Sequence, residues 1–165
     1  GPIARKGNVH VRLDPERQVL AIDGDKVKEV VSSFEQLERM VEDDLRTAVA
    51  SKARFYETLA NYEVETGRNP LDTLSKISFP ANLAGAFEKI LGSPVSSFTV
   101  HVAPRDQIPN QEEWFDVRIE PLVLRATDTY LVIVVFRSRD RSKVMDFAAN
   151  MEGKIQDLLG QIESA

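Results

Sequence analysis

"TYLVIVVFR", residues 129–137, is the most apolar run in the chain, and its reading decides the fold. Successive side chains of a strand point to opposite faces. Tyr130, Val132, Val134 and Phe136 therefore line one face, and Leu131, Ile133 and Val135 line the other. Both faces are apolar, so both need cover. Burying Tyr130 to Phe136 on both sides would contribute on the order of 10–20 kcal/mol before chain entropy is subtracted. Three kinds of cover are open: a helix, a second subunit, or a ligand held by a curled sheet.

The neighbouring strands are apolar on one face only. "SSFTVHV" (96–102) sets Phe98, Val100 and Val102 against Thr99 and His101. "WFDVRIE" (114–120) sets Phe115, Val117 and Ile119 against Trp114, Asp116, Arg118 and Glu120. Pro121 cannot donate to a ladder and marks an edge, bulge or bend. Residues 122–124 and a turn at "ATDT" lead into the opening strand, and "PRDQIPNQEE" (104–113) reads as a loop. Far upstream, "NVHVRLDPERQVLAI" (8–22) is a β-hairpin, with Asp14-Pro15-Glu16-Arg17 as turn chemistry. "DGD" at 23–25 lacks the further oxygen ligands of a calcium loop and reads as a turn.

The helices come between and after. "SSFEQLE" (32–38) has capping-box spacing from Ser32 or Ser33. Phe34, Leu37, Val41, Leu45, Ala48, Phe55, Leu59 and Tyr62 then follow a 3.6-residue period, with Lys52 the one charged interruption. This predicts a helix from about Phe34 to Gly67, roughly 50 Å long at 1.5 Å per residue. Either it breaks near "TAVASKA" (47–53) or it overhangs its own sheet. Asn69-Pro70 opens a short helix, and "SFPANLAGAFEKILG" (78–92) forms another that ends at Gly92. The last helix runs from Arg141 to Ile162, capped by Asp140, with Val144, Phe147, Ala148, Met151, Ile155, Leu158, Leu159 and Ile162 as its stripe. The order ββ-α-αα-βββ-α predicts an α+β fold, an antiparallel sheet packed against long helices. A single domain is expected over residues 8–163. Residues 1–7 read as a cleavage scar and disordered lead on a piece excised from a longer protein.

Composition excludes several classes. The chain of 165 residues has 26 acidic and 21 basic side chains, a formal net charge of −5. An acidic balance disfavours a nucleic-acid partner. Zero cysteines removes disulfides, thiolate zinc sites and cysteine nucleophiles. No apolar run approaches the ~18 residues of a membrane span. A soluble, cytoplasmic protein is the expectation, although a cysteine-free secreted domain would share this composition.

No motif names a reaction. There is no HExxH, no Gly-rich phosphate cradle and no Gly-x-Ser-x-Gly elbow, and neither a metal nor a cofactor is expected. His10 and His101 each sit mid-strand between valines and could meet if their strands pair. Asp116 and Glu120 flank Arg118 on one face, as a self-neutralising ladder or as carboxylates for His101. The strongest charge cluster is "RSRDRSK", where Arg137, Arg139, Arg141 and Lys143 surround Asp140. Cations at a helix start suit a phosphate or an acidic protein partner. On that reading, reversing Arg139 and Arg141 together leaves the melting temperature within a few degrees. Trp114, the only tryptophan, is either an exposed interface anchor or a lid packed by its own loop.

These features favour a non-catalytic protein-interaction or assembly domain that self-associates, with a protein partner or a second copy covering the two-faced strand. The rivals are a sensory or carrier domain for a small apolar ligand, and a hydrolase-type enzyme using His101 with Asp116 or Glu120.

Overall fold

A computed structural model describes residues 2–77, 80–109 and 111–165. Its strands are β1 (Ala4–Lys6), β2 (Val9–Asp14), β3 (Val19–Asp23), β4 (Tyr56–Val64), β5 (Val100–Val102), β6 (Trp114–Pro121) and β7 (Tyr130–Ser138). Its helices are α1 (Val27–Asp44), α2 (Val49–Lys52), α3 (Pro70–Ser75), α4 (Ala81–Leu91), α5 (Arg141–Ala149) and α6 (Met151–Glu163). The fold is α+β with antiparallel sheets, ordered β1-β2-β3 and β4-β7-β6-β5. Among the described residues no helix is long and apolar enough to cross a membrane. Ser78 and Phe79, at the head of the expected second short helix, and Asn110 of the long loop lie outside the described residues.

The chain divides into two compact units, Gly1–Tyr56 with Arg139–Met151, and Glu57–Ser138 with Glu152–Ala165. In the first, the expected hairpin is β2–β3, with Val11 opposite Ile22 and Leu13 opposite Leu20. Asp14 accepts a hydrogen bond from the Arg17 backbone at 3.0 Å, closing the turn as its chemistry suggests. Arg12 forks onto Asp23 at 2.7 and 3.1 Å across the pair. The expected disordered lead instead carries β1, with Ala4 opposite Val11 and Lys6 opposite Val9. At the "DGD" turn, a Cβ on Gly24 would come within 3.2 Å of both the Asn8 carbonyl and Val30, so the glycine lets α1 close on the hairpin. α1 packs against β2, β3 and α5.

The long helix is not formed. α1 starts at Val27, before the proposed caps, and Ser32 turns its hydroxyl back to the Glu29 carbonyl at 3.2 Å. It ends at Asp44, and Arg46 takes a left-handed φ of 50° that no helix continues through. Residues 56–64 are strand β4. Leu59 and Tyr62 satisfy a helical spacing, but Tyr56, Thr58, Ala60, Tyr62 and Val64 also alternate with Glu57, Leu59, Asn61 and Glu63. Tyr, Thr and Val favour the second period. The last helix also breaks, at Asn150, whose side chain caps back onto the Asp146 carbonyl at 2.9 Å.

In the second unit β7 is central, between β4 and β6. β6 and β7 pair from Trp114–Arg137 to Pro121–Tyr130. Ion pairs Glu57–Arg137 and Glu65–Arg125 tie β4 beside β7 and its approach at both ends. Tyr130, Val132 and Val134 are fully buried together with Ile119. α6 answers part of the opening question. Its Ile155 and Leu159 are buried, its Glu163 lies by the Tyr130 hydroxyl and its Glu152 near Tyr62. A helix therefore covers the first face. On the second, Leu131, Ile133 and Val135 are half-buried.

All three tyrosines of the chain, Tyr56, Tyr62 and Tyr130, have buried hydroxyls with no hydrogen-bond partner of good geometry. Burial raises the pKa of each above the ordinary value, reinforced by Glu38 at Tyr56, Glu152 at Tyr62 and Glu163 at Tyr130. A phenol with a raised folded pKa stabilises the fold below the unfolded value of about 10, and that contribution is lost as pH rises through the folded value. Ultraviolet titration should therefore show little tyrosinate at pH ~10 and a steep rise together with alkaline unfolding. An ordinary phenol titration with the fold intact contradicts this burial.

Candidate functional site

The basic segment resolves into separate structural roles. Arg137, on β7, is only 15% exposed at its side chain and binds Glu57 through Nε at 2.7 Å and Nη2 at 2.5 Å. It also donates to the Gln111 carbonyl at 3.2 Å. Arg141, in the first turn of α5, holds the buried Glu38 of α1 through Nε at 2.8 and 3.0 Å and Nη2 at 2.6 Å. The start of α5 is already answered by Asp140, which accepts from the Ser142 backbone at 2.9 Å and its hydroxyl at 2.6 Å. Those bonds hold the Asp140 carboxyl below its usual pKa. Arg139 and Lys143 are exposed. Arg137 and Arg141 thus serve the fold.

Trp114 is 9% exposed, so the exposed-anchor alternative gives way to the packed one. It stands directly opposite Arg137 across the β6–β7 ladder. The strands of the two histidines do not pair, since His10 lies in the β1-β2-β3 sheet and His101 in the β4-β7-β6-β5 sheet. Each has instead found an aspartate. His10 Nδ1 lies 3.5 Å from Asp23, and His101 Nε2 lies 2.9 Å from Asp116. Arg12 and, secondarily, His10 hold the Asp23 carboxyl below its usual value. His101 and Asp116 meet the distance needed for acid–base work, with Arg118 opposite His101 and 3.4 Å from Glu120. His101 stands exposed on a sheet surface. On so open a surface the array does not exclude water from a substrate.

A cavity of about 170 Å³ lies at the start of α3 and the end of α6, lined by Arg68, Asp72, Thr73, Lys76, Ile162 and Glu163 among others. Its lining mixes two cations and two carboxylates with the apolar Ile77 and Ile162, and so is not the wholly apolar chamber expected of a carrier. Asn69 helps shape it as the cap of α3, accepting from Leu71 N at 3.0 Å, as its position before Pro70 suggests. Among the described residues no group of three or more His, Asp or Glu side chains is placed to hold a metal ion.

Two surfaces escape a reading of the sequence by chemistry alone. α4 leaves Leu83, Phe87, Ile90 and Leu91 exposed, Ile90 to 78% and Leu91 to 65%. At 100° per residue these four share one flank of about 100°, while Ala84 beside them is half-buried. The signal was present in the spacing, but a core stripe has the same one. The second surface is β4, which among the described residues has a strand on one side only and carries Leu59 at 63% exposure. No family model matches the chain, and no curated protein or solved structure matches it either.

Proposed function

We propose that this chain is a non-catalytic interaction and assembly domain that self-associates. The observation that carries the reading is α4. This 11-residue helix holds Leu83, Phe87, Ile90 and Leu91 at 41–78% exposure, apolar area that a partner surface can bury. Each such side chain gains about 1.5–3 kcal/mol when a protein surface covers it fully, and contiguous apolar patches mark interaction sites.

Light scattering on the eluting protein tests this across a range of concentrations. The mass should exceed that of one chain. Leu83→Asp with Ile90→Asp should lower the assembly state while leaving the melting temperature within a few degrees, because both positions are already wet. A wild-type chain that stays monomeric at every concentration contradicts self-association. A double variant that assembles as before removes α4 from it.

A further inference from the structure

Sheet edges are normally blunted, since an unpaired strand invites another. The two edges of the β4-β7-β6-β5 sheet differ in this respect. β5 has three residues and is followed closely by Pro104. β4 has nine, "YETLANYEV", with no proline, glycine, lysine or arginine in it. Its side chains alternate between exposed Glu57, Leu59, Asn61 and Glu63 and the more buried Thr58, Ala60, Tyr62 and Val64.

We infer that β4 is the self-association edge, pairing antiparallel with β4 of a second copy about a twofold axis through Ala60. The inference rests on the self-association proposed above and gives it a second surface beside α4. A twofold axis at residue 60 sets residue i opposite residue 120 − i, so the strand must complement its own reverse. It does. The two Ala60 residues meet with the smallest side chains of the strand at the axis. Thr58 meets Tyr62 of the second copy on the covered face, a pairing of two good strand formers. On the open face Leu59 meets Asn61, so the two Leu59 side chains flank the axis diagonally and shield one another. Glu57 opposes Glu63 of the second copy, and because the charge of Glu57 is already answered by Arg137 at 2.5–2.7 Å the repulsion between the two acids is reduced. The product is an eight-stranded sheet in which the two Leu59 residues join the two strips of Leu131, Ile133 and Val135 into one apolar band.

Two variants of the full chain test the inference. Leu59→Lys adds the kind of edge guard that β4 lacks, at an exposed position. It should weaken dimerisation at least 100-fold by sedimentation, with the circular dichroism of the monomer unchanged. Ala60→Cys places a single thiol at the axis of a chain that has no other cysteine, and oxidation should convert most of it to a covalent dimer. Leu124→Cys, on a fully exposed turn of the same unit, should stay largely uncrosslinked. If the wild type assembles but Leu59→Lys assembles equally well, or Ala60→Cys crosslinks no better than Leu124→Cys, the strand pairing is wrong and self-association stands. If the wild type is a strict monomer, both fall.

Discussion

Truncation after Gly153 unfolds the unit built on the four-stranded sheet. The cut removes Ile155 and Leu159, which are 2% and 1% exposed, along with the half-buried Ile162. Losing a buried Leu or Ile side chain costs about 2–5 kcal/mol. Two such losses approach the whole stability of a domain, about 5–15 kcal/mol. It also uncovers the face of Tyr130, Val132 and Val134. Near-ultraviolet circular dichroism should lose its signal, and no cooperative melting should remain. A truncated chain with an unchanged melting temperature would show that α6 is not part of the core. From the sequence alone, a partner subunit was the favoured surface for this stripe, with a folded monomer left after the cut. The burial of Ile155 and Leu159 within the chain replaces that expectation with unfolding.

Arg141→Glu lowers the melting temperature markedly, where the sequence alone predicts a shift of at most a few degrees even with Arg139 reversed as well. Its guanidinium answers both oxygens of Glu38, whose side chain is 11% exposed. Removing one partner of a buried pair costs about 3–5 kcal/mol. Arg141 is partly solvated, so about 3 kcal/mol is the fitting estimate after screening, or on the order of 5–10 °C for a chain of this size. Lys143→Glu, two residues on and exposed, should shift melting by no more than a degree or two. Equal melting of the two variants would show that the Glu38 pair carries no stability. Because Glu38 would then face a second acid, the exchange Glu38→Arg with Arg141→Glu should recover part of the loss.

The β part of the fold was legible because its period is 2 and its flanks are punctuated. Val9 to Ile22 has turn residues at its centre, and Phe115, Val117 and Ile119 alternate without a gap. The Asn69-Pro70 start and the Gly92 stop were legible for a local reason, since each satisfies backbone groups within its own turn. β4 was not, because Leu59 and Tyr62 fit both periods and the deciding contact is with β7, far along the chain. The basic segment misled for a similar reason. Glu57 and Glu38, which answer Arg137 and Arg141, lie 80 and 103 residues away in sequence. Charge clusters read along the chain do not reveal partners that only the fold supplies.

The strand order β4-β7-β6-β5 also makes the sheet unequal in connectivity. β6 and β7 are joined by the residues between Pro121 and Tyr130, whereas β4 reaches β7 only by closing a loop that spans from Val64 to Tyr130. Closure entropy grows as the logarithm of loop length, at about 0.6 kcal/mol per doubling. About three doublings separate the two loops, so seating β4 costs roughly 2 kcal/mol more than closing the β6–β7 hairpin. The strand made first is therefore the last that chain entropy favours in the sheet. Until β7 exists, β4 is an orphan with both edges open, and after β7 arrives it still has one.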